Sequence, residues 1–275
     1  MGKIGKFRNL ILMIALTIAW SSHAQAAIIF VTVTFQNTAP TNSVAFAPLR
    51  VGFNNGTFDS FNSGATATAP IISIAEGGSG SDWFPAFAAA DPTAVLGTVG
   101  GALVPTGNAA GGFASSASQT FMVDTNINQF FTFAAMAIPS NDLFIGNDNP
   151  AAFRILDASG NLLINQINQT ASQIWDANSE VADPANAAFV VGGVNGNRTP
   201  ENGLVAFDFS ELNAFNGLTT GAGYTFDAGS LTGSTNVGSI SFSVTAVPEP
   251  SSVALVGLIG LGVVVRRFRK KHPKS

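Results

Sequence analysis

Between Ala27 and Val247 the apolar residues come in short runs, each closed within about ten residues by Gly, Asn, Asp or Pro. Such runs suit strands and leave almost no room for long helices. Ile28 to Phe35 (IIFVTVTF) alternates apolar and polar residues and predicts a strand with one face turned inward. A turn at Phe35 to Pro40 follows it. Val44 to Val51 predicts a second strand, which Pro48 pushes toward a sheet edge. Gln119 to Val123 and Gln129 to Ile138 predict a pair joined by Asp124-Thr125-Asn126. Arg154 to Leu156 and Leu162 to Ile164 flank the hairpin signal Asp157-Ala158-Ser159-Gly160-Asn161. Ala187 to Val191, Gly203 to Phe209, Gly223 to Phe226 and Ser239 to Ala246 complete the strand candidates. The best helix runs from Asp82 to Ala90, with Asp82 as its cap and Pro92 beyond its end. Residues 52 to 80 read as loop, with Pro70 to Ile74 a short strand at most, and residues 97 to 118 as a long surface loop. No internal repeat recurs at a fixed period. The expectation is an all-β antiparallel sandwich of about eight strands with one short helix and long loops.

The two ends of the chain are different in kind. Lys3, Lys6 and Arg8 precede the apolar run Leu10 to Trp20, and Ala24-Gln25-Ala26 supplies small residues for a peptidase pocket. The run has about 11 residues against the roughly 20 of a membrane span, which predicts a signal peptide over 1–26 with cleavage between Ala26 and Ala27. An uncleaved anchor helix is the alternative. At the other end, Pro248-Glu249-Pro250 leads into the apolar run Val253 to Val265 and then Arg266-Arg267-Phe268-Arg269-Lys270-Lys271. The prolines hold Glu249 extended. The run would make a helix of only about 20 Å, short for a bilayer, although snorkelling arginines can close the gap. The basic cluster fixes the tail on the cytoplasmic side.

This tail, over residues 247–275, resembles the PEP-CTERM sorting signal, on the strength of Pro248-Glu249-Pro250, the glycine-containing run Val256 to Gly262 and the basic end. An ordinary C-terminal anchor would share the last two features. The resemblance implies recognition and removal of the tail by an exosortase, after transient anchoring in the inner membrane. The mature protein would then reach the cell surface or extracellular matrix.

Charge separates the body from its ends. All five lysines and both histidines lie in the terminal segments, and the body keeps only Arg50, Arg154 and Arg198 against fifteen acids, a net charge of −12. That charge excludes nucleic acid as a partner and disfavours anionic lipid. It either attracts divalent cations or serves solubility alone. With no cysteine anywhere and no lysine or histidine in the body, thiol and imidazole catalysis, Schiff bases and ordinary zinc sites are excluded. An enzyme built on this body would have to use carboxylates.

Two acidic, turn-like segments stand out beside predicted strands: Ile138-Pro139-Ser140-Asn141-Asp142-Leu143-Phe144-Ile145-Gly146-Asn147-Asp148 and Ile174-Trp175-Asp176-Ala177-Asn178-Ser179-Glu180-Val181-Ala182-Asp183. Calcium takes six to eight oxygens from carboxylates, amides and carbonyls and needs neither His nor Cys. Two such loops at one end of a sandwich could share an ion; each carboxylate could equally cap its own turn. An EF-hand is excluded, because Val181 and Ala187 stand where its Gly and Glu belong.

The same two segments resemble those of the spondin N-terminal domain, with Leu143 in place of an aromatic, Asn178 in place of Gly and Ser179 in place of Thr. The resemblance runs from about Ile29 to Thr245 and implies a C2-like sandwich over 27–246 that holds Ca²⁺ through Asp142 and Asp176. It further implies a backbone carbonyl near Ser172 and Glu180 as an additional ligand or supporting group. Other motifs carry less. Gly77-Gly78-Ser79-Gly80 has no lysine after it anywhere in the body and reads as a flexible loop rather than a phosphate cradle. Trp83, Phe84 and Phe87 read as core filling under a helix, and Asn168-Gln169-Thr170 as an unused glycosylation acceptor.

The leading expectation is a non-catalytic surface or matrix protein that binds Ca²⁺ and a macromolecule such as extracellular polysaccharide or a surface protein. Signal peptidase and exosortase are its partners during export. A carboxylate glycosidase and a ligand-free structural subunit are the competitors. For a sugar site the body offers few basic residues and, as Trp or Tyr platforms, only Trp83, Trp175 and Tyr224.

Overall fold

The computed structural model describes residues 28–246. Both predicted terminal signals therefore lie outside the described residues. Eleven strands form two antiparallel sheets packed as a sandwich. β1 (Ile28–Asn37), β5 (Ser116–Asp124), β8 (Gln166–Thr170) and β11 (Asn236–Ala246) make a four-stranded sheet in the order β5-β1-β11-β8. β3 (Leu49–Asn54), β4 (Val95–Val99), β6 (Phe130–Ile138), β7 (Leu143–Gly146), β9 (Trp175–Asp176) and β10 (Ala206–Phe207) run in the order β10-β9-β7-β6-β3-β4, and β2 (Ala45–Phe46) pairs with β6.

The alternation in β1 does what its sequence predicts. Val31, Val33 and Phe35 are buried between the sheets, while Thr32 and Thr34 face outward and share hydrogen bonds of 2.8 Å with Thr120 and Ser118 of β5. β6 and β7 behave differently. Phe133, Ala135, Leu143 and Ile145 join the core between the sheets, whereas Ala134 and Phe144 join a second core on the opposite face. A strand buried on both faces needs an unbroken apolar run, which is why FTFAAMAI and LFIG do not alternate.

That second core lies under two short helices, α1 (Ala69–Ala75) and α2 (Trp83–Ala90). Phe58 stacks on Phe87 with ring centroids 4.0 Å apart, and Trp83 meets both edge-on. The expectation that Trp83 and Phe87 fill a core is met, while Phe84 is only partly buried beside Arg50. α2 approaches so closely that a Cβ on Gly52 of β3 would stand 2.5 Å from the Phe87 ring.

Several local expectations fail for identifiable reasons. The segment 70–74 is helix, not strand. Pro70 sits in the first turn of α1, where its missing N–H costs nothing, and Ile71 and Ile74 bury one helical face. Gly77 to Gly80 closes α1: left-handed Gly78 (φ 57°) turns the chain, and Arg50 donates to the Gly78 carbonyl at 2.8 Å. Asp82 makes no side-chain cap for α2. Pro48 splits its run into β2 and β3, and β3 is central, between β6 and β4. The segment 97–118 contributes the end of β4 and the start of β5. The hairpin at 154–164 reduces to a single bridge, Leu156–Leu162, around an Asp157 whose Oδ1 accepts from the Ser159 and Asn161 amides. The candidates at 187–191 and 223–226 likewise hold only isolated bridges, and of 203–209 only Ala206 and Phe207 form a strand.

Candidate metal centre

The turn between β6 and β7 delivers Asp142. Ser140 closes that turn, donating to the Ala137 carbonyl at 2.5 Å and accepting from the Leu143 amide at 3.1 Å. Leu143 pairs across the sheet with Asp176 of β9, and Asp176 pairs in turn with Ala206 of β10. Three neighbouring strands thus set Asp176 beside the residue that follows Asp142. The two acids that the sequence places in separate turns meet at one spot.

A third carboxylate joins them. Asp142, Asp176 and Glu211 each offer an oxygen within 4.8 Å of the others. Glu211 comes from the 3₁₀ turn Ser210–Phe215, whose Leu212 and Phe215 are buried in the core. Sequence reasoning missed it, although Asp208-Phe209-Ser210-Glu211 is another acidic segment at the end of a predicted strand. That is the same signal that singled out the first two segments.

Of the two aspartates, Asp176 caps its own turn, whereas Asp142 caps the neighbouring segment. Asp142 is fully buried. Its Oδ2 accepts from the Ser179 amide at 2.7 Å, the Ser179 hydroxyl at 3.1 Å and the Glu180 amide at 2.9 Å. Its Oδ1 is buried without a partner. Asp176 Oδ1 accepts from the Asn178 amide at 2.7 Å in an Asx turn. Asn178 has φ 48°, the left-handed conformation for which Asn is the best substitute for Gly. Glu211 Oε1 is also buried without a hydrogen-bond partner.

Glu180 and Ser172 lie outside the group of three. Glu180 is buried next to it; its Oε1 accepts from the Asn141 amide at 3.1 Å and its Oε2 has no partner. Ser172 is exposed on the 3₁₀ turn Ala171–Gln173, with its amide on the Gly233 carbonyl and its hydroxyl 3.0 Å from that of Thr170.

No positive charge of the body compensates the cluster. Arg50 donates to Thr98 and Gly78, Arg154 to Gln129, and Arg198 pairs with Glu76. Burial and mutual repulsion therefore favour the protonated acids. Burial first, and then the charge of Asp142, raise Asp176 to about 6. Burial, reinforced by Asp176 and Asp142, raises Glu211 to about 9. Asp142 also lies above the ordinary carboxylate range through burial, although the Glu180 and Ser179 donors pull it back. Near neutral pH Glu211 therefore keeps its proton.

A family model described as the PEP-CTERM protein-sorting motif matches residues 246–271. No curated protein matches the chain. The match covers the tail and stops where the sandwich begins. The fold is thus an all-β sandwich with a buried carboxylate cluster. The tail marks it as an exosortase-targeted secreted surface protein, exported to the cell surface in a Gram-negative-type envelope. No helix among the described residues is long and apolar enough to cross a membrane, and the run Val253 to Val265 lies beyond them.

Proposed function

We propose that the exported body is a non-catalytic binding protein whose sandwich holds a Ca²⁺ ion through Asp142, Asp176 and Glu211. The observation that carries this reading is the gathering of three carboxylates within 4.8 Å, two of them with buried oxygens that accept no hydrogen bond, in a body whose arginines are engaged elsewhere. Unpaired buried carboxylates are costly. A divalent cation replaces that cost with attraction, and hard oxygen donors are what Ca²⁺ selects. The resemblance of the two segments around Asp142 and Asp176 to the spondin N-terminal domain supports the same assignment. Glu180 supports the site through its amide on Asp142. In this reading the domains are the signal peptide at 1–26, the sandwich at 27–246 and the sorting tail at 247–275, with the tail anchoring the chain in the inner membrane until an exosortase removes it.

A glycosidase is disfavoured. The separation of the acids approaches the roughly 5 Å of a retaining pair, but Asp142 has no exposed surface and Asp176 is 6 % exposed. A glycosidic oxygen could not enter between them. Calorimetric titration of the calcium-stripped protein with CaCl₂ tests the proposal. One saturable site, lost in Asp176→Asn, is expected. Absence of heat together with an unchanged melting temperature would refute it.

A further inference from the structure

A second site lies on the open flank of the sandwich, where β8 of one sheet faces β7, β9 and β10 of the other. A cavity of about 170 Å³ opens there. Phe153, Trp175 and Phe207 are its aromatic lining, and strand register sets Trp175 and Phe207 side by side with the buried Phe144. Phe144, Trp175 and Phe207 are cross-strand partners on β7, β9 and β10. The Trp175 and Phe207 rings stack with centroids 3.6 Å apart, and Phe61 meets Trp175 edge-on at 5.2 Å. The Trp175 indole is fixed by its Nε1, which donates to the Gly146 carbonyl at 3.0 Å. Phe207 ends this ladder on the edge strand and is 53 % exposed, so a rigid, buried aromatic column terminates in a half-open ring at the cavity.

The remaining wall joins Ala152 to polar side chains, of which only Asp148 is charged. Asp148, Asn149, Gln169 and Gln173 line it. Gln173 commits its Oε1 to the Thr170 amide at 2.9 Å, and Asn149 commits its Oδ1 to the Ala151 amide at 2.9 Å. Each keeps an NH₂ group to donate. Asn147 holds the wall in place, accepting from the Phe133 amide at 3.0 Å and donating to the Asn149 carbonyl at 3.1 Å. No lysine or arginine lines the cavity, which rules against a phosphate, sulfate or uronate. An apolar ring face beside several fixed amides and one carboxylate matches a ligand with a C–H face and a rim of hydroxyls.

We propose that this cavity is a subsite for one ring of a neutral saccharide, stacked on Phe207 and held at its hydroxyls by Asp148, Asn149 and Gln173. The proposal rests on reading the chain as a binding protein, but not on the cation. The sequence reading passed over Phe207, whose place beside Trp175 is set only when β9 and β10 pair.

The test is titration of the full chain, in mild detergent, with cellotetraose, laminaritetraose and chitotetraose, by calorimetry and by Trp fluorescence. Each titration is run with CaCl₂ and again with a chelator. At least one probe is expected to bind saturably, with millimolar affinity or better. Phe207→Ala and Asp148→Ala should each weaken it by about tenfold or more, Phe207→Tyr should preserve it, and melting curves should show every variant folded at the assay temperature. Binding that survives the chelator would uphold this site even if the cation proposal failed. No binding of any of the three up to about 10 mM, or equal binding by Phe207→Ala, would overturn it.

Discussion

Replacing Glu211 with Gln gives the sharpest handle on the carboxylate cluster, because Gln has the shape of the protonated acid but cannot ionise. Glu211 sits at about 9 in the folded protein and Asp176 at about 6. The unfolded chain releases the same protons near pH 4. The folded state therefore binds more protons over the interval, and stability must fall as pH rises. It is full below pH 4 and is lost progressively, first through Asp176 near 6 and then through Glu211 near 9. Each pH unit between the unfolded and folded values contributes about 1.4 kcal/mol. With solvent screening of the partly exposed Glu211, a loss on the order of 3 kcal/mol remains for this residue. For a domain of this size that is roughly 10 °C in melting temperature. Calcium-free wild type, scanned by calorimetry from pH 5 to 9, should lose about that much. Glu211→Gln should keep only the smaller step near pH 6. Saturating Ca²⁺ should restore the wild type at pH 8, by about 2.7 kcal/mol at a hundred times Kd, and should restore the variant far less. A variant curve parallel to the wild type would refute the reasoning.

Other perturbations have equally definite outcomes. Asp142→Ala removes the acceptor for two amides and a hydroxyl; it should destabilise the calcium-free protein by about 1–3 kcal/mol in urea titrations, and Asp142→Asn by clearly less. Phe87→Ala empties the core under the helices beside Phe58 and Trp83 and should cost about 3–5 kcal/mol, with a matching drop in the denaturation midpoint. Gly97→Ala would place a Cβ 2.5 Å from the Phe121 ring and should cost about 1–3 kcal/mol, where Gly101→Ala, in open space, should be close to neutral.

Much of the sandwich was legible because its strands obey local rules. β1 alternates, β6 and β7 are almost wholly apolar, and Asp142 and Asp176 both lie in acidic segments at strand ends. What escaped depends on distant packing. Pro70-Ile71-Ile72-Ser73-Ile74 is rich in β-branched residues, yet it is helical because Ile71 and Ile74, three apart, find a sheet face to cover. Of the three strands predicted between 183 and 235 only Ala206–Phe207 forms, because Asx turns and single bridges hold this stretch, as at Asp183, Asp208 and Asp227. Glu211 reaches the site only through that irregular segment. Its membership follows from where Leu212 and Phe215 are buried, which no spacing in the sequence encodes.

The central claim concerns a cation among three acids, and diffraction from crystals grown with and without CaCl₂ addresses it most directly. The account predicts one new density peak with calcium's anomalous signal, bonded to oxygens of Asp142, Asp176 and Glu211 at about 2.3–2.6 Å. Calcium bound elsewhere on the sandwich, with these three carboxylates unliganded in both crystals, would contradict it.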